Sequence, residues 1–295
     1  MVTTSETAQW VRPTKMMVVK QFLKGMPLTA RVGLAIIVIN LIVVVFAPWL
    51  APYGETELVT DVWAPISAEH WLGGDHIGRD MLSRIIYGAR TTIAIAFLAT
   101  VLAFFMGIVT GFAAAVLGGI FDSILSRFVE TLMAIPTLLM ALVVISVLGS
   151  DLFVLVAVIA VLDSTRVFRL SRAIAMDVAV MEYVEAARLR GERLWWIMTR
   201  EILPNTTLPL IAEFGLRFVF AFLFIAALSF LGLGIQPPLA DWGGMVRESS
   251  SAIIYGIVAP LYPAGAIAIL AVGTNLLVDY VLAWSNRSAA TEFEV

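Results

Sequence analysis

The 295-residue sequence is 60% hydrophobic, has only 14% charged residues and carries a net charge of −3 at neutral pH. A soluble chain of this length carries more charge, and an excess of three negative charges is too small to indicate a nucleic-acid partner. The sequence contains no cysteine, which excludes disulfides and thiolate chemistry. The composition therefore predicts many membrane spans rather than one large core surrounded by water.

The chain begins with a polar tail, residues 1–31, which holds five cations against the single acid Glu6. A whole signal peptide, including its apolar part, is roughly fifteen to thirty residues long. This tail alone reaches that length before the first apolar run begins. We therefore expect that run, residues 32–49, to be retained as the first transmembrane helix. At 1.5 Å per residue it is about 27 Å long, close to the ~30 Å hydrocarbon core of a bilayer.

The polar segment 50–90 follows, and we predict that it is extracytoplasmic. Five further apolar runs then occupy most of the region 91–284, at residues 91–117, 124–148, 150–167, 206–233 and 258–284. Together these runs predict an all-α membrane protein with about six transmembrane helices and a short tail at 285–295. Pro136, inside the third run, predicts a kink in that span.

Lysine and arginine are distributed unequally between the two sides that these spans define. Thirteen lie on the side of the N-terminus, in the tail, in the loop 166–205 and at the C-terminus, and four lie on the opposite side. Because cytoplasmic loops are enriched in lysine and arginine, this asymmetry predicts that both termini face the cytoplasm.

Several kinds of enzyme chemistry lack their sequence signatures. The three lysines all lie in the N-terminal tail and none follows a glycine, so the chain has no G-x-x-x-x-G-K-[ST] loop for ATP hydrolysis. His70, Asp75 and His76 could offer metal ligands, but their spacing matches no helical ligand pair, and ordinary loop residues are the better interpretation. We expect no catalytic residue, metal or cofactor on this chain.

The loop 166–205 is the longest charged stretch. Residues 177–190 contain no glycine or proline and predict a helix, which Gly191 is expected to end in a left-handed turn. Residues 194–203 predict a second helix. The first helix could place four side chains in an apolar strip, namely Val180, Val184, Ala187 and Leu189. Such a helix can dock into a groove on a partner protein or lie on the lipid surface, and the physics of the sequence leaves both roles open.

The order Glu185-Ala186-Ala187, Gly191 and Leu203-Pro204 resembles the cytoplasmic EAA motif of permeases in binding-protein-dependent ABC importers. In that family this loop forms a coupling helix, which sits in a cleft of the ATPase subunit. The resemblance implies that residues 182–204, here called the coupling segment, contact an ATPase, chiefly through Glu182, Glu185, Ala186, Ala187, Gly191, Leu203 and Pro204. It also implies a second homologous permease subunit, two ATP-binding subunits that hold ATP and Mg, and an extracytoplasmic substrate-binding protein.

Two further stretches narrow the resemblance. Residues 72–80, here called the signature segment, look like the periplasmic signature of dipeptide and oligopeptide permeases, and the site residues that they imply are Gly73, Asp75, Gly78, Arg79 and Asp80. Residues 228–245 are similar to the end of the fifth span in the same family. The resemblance is to the C-type subunit of the bacterial inner membrane. It implies that this chain forms half of a pathway for peptides or similar small solutes.

Other functions remain open at this stage. An ion-coupled secondary transporter would need carboxylates at mid-membrane, and an ABC permease could carry a metal chelate or a sugar conjugate instead of a peptide. Glu213 and Arg217 lie four residues apart in the fifth apolar run. We expect both residues at or inside the cytoplasmic end of that span, where they are either a local ion pair or a polar lining of the pathway. Trp242 is expected to anchor the chain at the membrane interface.

Overall fold

The computed structural model describes residues 24–293, with side-chain surroundings over 24–284. Helices account for most of this region, and its β pairing consists of two isolated bridges in the segment before the second long helix. The predicted all-α fold is confirmed. Residues 1–23 of the predicted N-terminal tail lie outside the described residues, whereas most of the predicted C-terminal tail, 285–295, belongs to the last helix, which reaches Phe293.

The helices follow one another with short connections, apart from two longer loops after the first and the eighth. The first five are α1 (Leu28–Leu50), α2 (Met81–Leu117), α3 (Gly119–Ala134), α4 (Thr137–Leu148) and α5 (Leu152–Ala179). The next three are α6 (Glu182–Leu189), α7 (Leu194–Trp196) and α8 (Leu203–Phe230), with a π-helical turn at Ile197–Ile202 joining the last two. A short helix α9 (Trp242–Ser249), a 3-10 turn (Ser250–Tyr255) and α10 (Leu261–Phe293) complete the described chain.

Four helices of the described region are long and apolar enough to cross a membrane: α1, α2, the continuous helix Leu194–Phe230 and the part of α10 up to Trp284. Helices α3 and α4 meet at Pro136 with a bend of 89° and would add a fifth span if the pair crosses together. The first eighteen residues of α5 contain three charges, at Asp163, Arg166 and Arg169. A total of about six spans therefore remains a prediction.

Several boundaries differ from the sequence-based expectation. Helix α2 begins at Met81, inside the segment predicted to end at 90, because Asp80 caps its N-terminus by accepting a hydrogen bond from the Ser83 N–H at 2.8 Å. Helix α5 continues past the predicted end of its span at 167, as far as Ala179. The helix predicted over 177–190 is wrong: it is interrupted at Met181, whose backbone is extended (φ −73°, ψ 144°).

The interruption follows from packing. Helix α6 buries Val184 and Ala187 completely, in a cluster that also contains Phe112 of α2 and Ile202 of the π-helical turn. The break at Met181 allows α6 to lie against these elements, and this burial overrides the helical preference of the local sequence. The other two members of the predicted apolar strip, Val180 and Leu189, are exposed.

The closest helix contact joins α2 and α5. Two glycines four residues apart, Gly107 and Gly111, bring α2 against the backbone of α5 near Phe168. The Ser171 hydroxyl donates a hydrogen bond across the contact to the Gly107 carbonyl at 2.9 Å. Small residues at this spacing allow helices in a membrane to approach closely, where dispersion contacts and interhelical hydrogen bonds replace the hydrophobic effect.

Candidate functional site

The signature segment is organised around the carboxylate of Asp75, which is fully buried. Its Oδ2 accepts hydrogen bonds from Arg79 Nε at 2.7 Å and from Arg84 Nη1 at 2.8 Å. Its Oδ1 accepts the backbone N–H groups of Ile77 and Arg79, both at 2.9 Å. One carboxylate therefore closes the loop on itself and joins it to the first turn of α2.

Glu248 of helix α9 completes this network from far along the chain. Its Oε2 lies 2.7 Å from Arg84 Nη1 and 3.3 Å from Arg79 Nη2. The network thus contains two acids and two arginines, and it ties the signature segment, α2 and α9 together. The sequence analysis missed Glu248, because nothing in a single sequence pairs residues so far apart.

The environment of Asp75 favours its charged form. Burial by itself raises the pKa of this carboxyl group, but the backbone hydrogen bonds from Arg79 and Ile77 and the charges of Arg79 and Arg84 outweigh burial. The pKa of Asp75 is therefore lower than its ordinary value. At neutral pH Asp75 therefore carries its negative charge beside the two guanidinium groups.

Asp80 plays a separate part in the signature segment. Besides capping α2, it accepts a hydrogen bond from the Ser83 hydroxyl at 2.7 Å, and its Oδ1 lies 3.0 Å from Nδ1 of His70. Gly73 and Gly78 both have positive φ and approach the backbone of residues 60–64 closely. The five predicted residues of this segment therefore shape one folded loop.

A metal site in this region fits poorly. Ligand atoms of Asp75, His76 and Glu248 lie within 4.8 Å of one another, while His70 of the predicted trio is paired elsewhere. However, Asp75 Oδ2 and Glu248 Oε2 already accept hydrogen bonds from Arg79 and Arg84. Two guanidinium charges at these oxygens oppose the binding of a cation, so the arrangement is an ion-pair network.

The predicted interfacial role of Trp242 is wrong. The ring is 2% exposed, and its Nε1 donates a hydrogen bond to the Ile85 carbonyl of α2 at 3.0 Å. The neighbouring Asp241 caps α9 by accepting the Gly244 N–H at 3.0 Å. Burial raises the pKa of Asp241 to about 6, although hydrogen bonds from Gly244, Ser229 and Gly243 act in the opposite direction. Trp242 is therefore buried between α9 and α2 and packs α9 onto the core.

The coupling segment has a well-defined backbone. Gly191 has φ 78°, in the left-handed region, as the sequence predicts. Its N–H donates to the Arg188 carbonyl at 2.9 Å, and the Glu192 N–H donates to the Ala187 carbonyl at 3.2 Å. This pair of hydrogen bonds is the Schellman motif, in which a left-handed residue satisfies the last carbonyls of a helix. Helix α6 is thereby ended sharply and the chain is turned toward α7.

The two faces of α6 differ in burial. Val184 and Ala187 face the bundle, and Arg188 is fixed to α2 by a hydrogen bond from Nη2 to the Val116 carbonyl at 3.3 Å. The opposite face is exposed and consists of Glu182, Tyr183, Glu185, Ala186 and Leu189. Leu203 and Pro204 lie beyond the π-helical turn, at the start of α8. The predicted coupling residues therefore fall on two elements, with only Ala187 of them buried.

Glu213 and Arg217 form the predicted pair. Arg217 Nε lies 2.7 Å from Glu213 Oε1, and the two are one turn apart on α8. They lie near the middle of this 28-residue helix, and their position relative to the two sides of the membrane stays a prediction.

These observations define a class of protein: an all-α, multi-pass membrane chain with a folded loop network before its second long helix and an exposed short helix between α5 and α8. Residues 104–290 match the family described as the binding-protein-dependent transport system inner membrane component. The chain belongs to this family of transport permeases.

Curated relatives agree with the family assignment. The chain is 35% identical over 258 residues to the probable D,D-dipeptide transport system permease protein DdpC of Escherichia coli, covering 87% of this chain and 86% of the relative. It is also 35% identical to the dipeptide transport system permease protein DppC of Alkalihalophilus pseudofirmus (85% and 83% covered). It is 33% identical to the glutathione transport system permease protein GsiD of Pectobacterium atrosepticum (84% and 83% covered).

Proposed function

We propose that this chain forms half of the translocation pathway of an ATP-driven importer for short peptides, and that a second homologous permease subunit forms the other half. ATP and Mg bind to two separate ATPase subunits, and an extracytoplasmic binding protein delivers the solute. The names of the relatives support a peptide or peptide-like solute, since they include dipeptide and glutathione systems. Uptake of a labelled dipeptide that requires ATP, and persists when ion gradients are collapsed, is the expected result.

The observation that carries this proposal is the unequal burial of α6. One face is buried against α2 and the π-helical turn, while the other leaves two glutamates and several apolar side chains exposed. A short helix with one fixed and one free amphipathic face suits docking into a groove on a partner. A rigid contact of this kind can transmit ATPase movement to the long helices that continue from it.

The first prediction concerns Gly191→Val. A valine at φ 78° is strained by about 1 kcal/mol or more, so the turn between α6 and α7 should shift and misplace Glu185 on the docking face. We expect normal insertion and abundance, together with a large loss of dipeptide uptake and of ATP hydrolysis stimulated by the binding protein. The measurement is uptake and ATPase activity of the assembled importer in proteoliposomes.

Gly256→Val is the matched control. Gly256 has φ 75°, and a side chain would meet no atom within 4 Å, as at Gly191, but it ends the 3-10 turn after α9. The two variants should lose similar stability, while only Gly191→Val loses coupling. Full transport by correctly inserted Gly191→Val importer would refute the coupling role.

The second prediction concerns orientation. Because the sequence has no cysteine, single cysteines report sidedness without background. A cysteine at Ser67, which is exposed in the segment before α2, should react with an impermeant maleimide in intact spheroplasts. A cysteine at Thr4 in the N-terminal tail should react only after the membrane is opened. The reverse pattern would show that the termini lie outside.

A further inference from the structure

A charged cluster lies where α5 and α8 meet. Helix α5 contributes Asp163 and Arg166, and α8 contributes Glu213 and Arg217, with the ring of Phe220 beside both arginines. The side chains of Asp163, Glu213 and Arg217 are only 10%, 18% and 11% exposed. Charged side chains in a membrane-spanning chain are costly in lipid, so they face the protein interior or water.

The two arginines are incompletely partnered. Arg166 Nη1 is 4.0 Å from Asp163 Oδ1, which is too long for a hydrogen bond. Arg217 Nε is close to Glu213, yet neither Nε nor the buried Nη1 of Arg217 makes a hydrogen bond to any described residue. Buried N–H groups without an acceptor are rare because their desolvation is not compensated. The cluster therefore has donors that an additional acceptor would satisfy.

The cluster is also reachable from the surface of the chain. The side chain of Arg166 is 38% exposed, and Phe220 is half-exposed. The Cζ atoms of Arg166 and Arg217 lie 5.8 Å and 4.7 Å from the centre of the Phe220 ring, so both guanidinium groups lie close to one aromatic ring. Asp163 is the more deeply buried of the two acids, and its negative charge offsets part of the positive charge of the arginines.

We propose that this cluster is a transient binding site on the translocation pathway, and that it binds the carboxylate of the passing solute. The proposal rests on the proposed function, because a peptide with a free C-terminus carries such a carboxylate. A guanidinium group offers paired N–H donors that match the two oxygens of a carboxylate. The internal acids keep the empty site neutral, and Glu213 becomes available to the solute's ammonium group when Arg217 turns to the carboxylate.

The test uses Phe220→Cys in the assembled importer. The sequence contains no other cysteine, so the new thiol can be modified with a sulfonate-bearing (anionic) or a trimethylammonium-bearing (cationic) methanethiosulfonate. We expect both reagents to react in at least one nucleotide state. The anionic reagent should be favoured about fivefold relative to its behaviour with free cysteine, because the arginine charges lie within a few ångströms of the thiol. Adding Arg166→Gln should weaken this preference, because only the charge of Arg217 then remains beside the thiol.

A ligand arm identifies the recognised group. L-alanyl-L-alanine should slow modification of the thiol, whereas its C-terminal amide should not. Dipeptide uptake by the parent importer is measured in parallel. The anion preference does not depend on which solute is carried, so a wrong solute class and a wrong site give different results.

Two further variants keep the test decisive. Phe105→Cys, at an exposed apolar position of α2, should react with neither reagent because it faces lipid. Leu223→Cys, one turn from Phe220 on α8, replaces Phe220→Cys if that variant does not assemble. No reaction at either α8 position in any nucleotide state would mean that the second permease subunit covers this face, and the proposal would be wrong. Equal reaction with both reagents, or equal protection by the amide, would also overturn it.

Discussion

Asp75→Asn is expected to lower the free energy of unfolding by about 3–5 kcal/mol, because removing one partner of a buried ion pair leaves the others uncompensated. The substitution keeps the shape of the side chain but removes the charge that Arg79 and Arg84 share. Glu248 alone would then face two guanidinium groups. The measurement is thermal unfolding of the purified chain in detergent, followed by tryptophan fluorescence.

Glu69→Gln is the matched control for this prediction. It removes the same charge from the same segment between α1 and α2, but Glu69 is exposed and its side chain makes no hydrogen bond or ion pair among the described residues. Its effect should remain within about 0.5 kcal/mol. If Asp75→Asn and Glu69→Gln unfold at the same temperature, the buried network does not stabilise the fold.

The carboxylate of Asp75 also makes the stability of the fold depend on pH. The pKa of Asp75 is lowered in the folded chain, so its contribution is present above the ordinary value of 3.8 and is lost as the pH falls through the lower folded value. The parent should therefore lose stability steeply below about pH 4. Asp75→Asn should show a shallower loss in this window, although it is less stable at neutral pH.

Some features of the fold follow from the local sequence alone. The left-handed turn at Gly191 follows from a glycine at the end of a helical stretch, and the structure has it. The interruption at Met181 could not be predicted in this way, because it depends on burial of Val184 and Ala187 against Phe112, which is distant in sequence.

The ion-pair network around Asp75 shows the same limit of local sequence. A single sequence can identify Asp75, Arg79 and Asp80 as an unusual polar group, and the resemblance to a family gives them importance. Their partner Glu248 lies on another helix. Trp242 is a residue type that often anchors proteins at the membrane interface, but here it packs against Ile85. Long-range pairing and the choice between interface and core are decided by tertiary packing, which periodicity does not encode.

The second large loss of stability is expected from a substitution at the contact between α2 and α5. Gly111→Val should destabilise the chain by about 3 kcal/mol, because the added side chain overpacks a helix contact. A Cβ atom at Gly111 would overlap Ser171 Oγ and would lie 2.9 Å from the Phe168 carbonyl oxygen, and the backbone oxygen has no rotamer by which to move away. Thermal unfolding in detergent and the yield of assembled importer should both fall.

Gly265→Ala is the control for a helical glycine, because a Cβ at this position of α10 meets no atom within 4 Å. It should be neutral or stabilising by up to about 1 kcal/mol, since alanine favours the helix more than glycine does.

A double variant separates the two clashes at Gly111. Gly111→Ala is expected to be destabilising, and adding Ser171→Ala should restore part of the loss by removing the hydroxyl, despite the loss of its hydrogen bond to Gly107. The rescue should be incomplete because the Phe168 carbonyl remains. If Gly111→Ala is as stable as Gly265→Ala, the helices do not depend on close approach at this point.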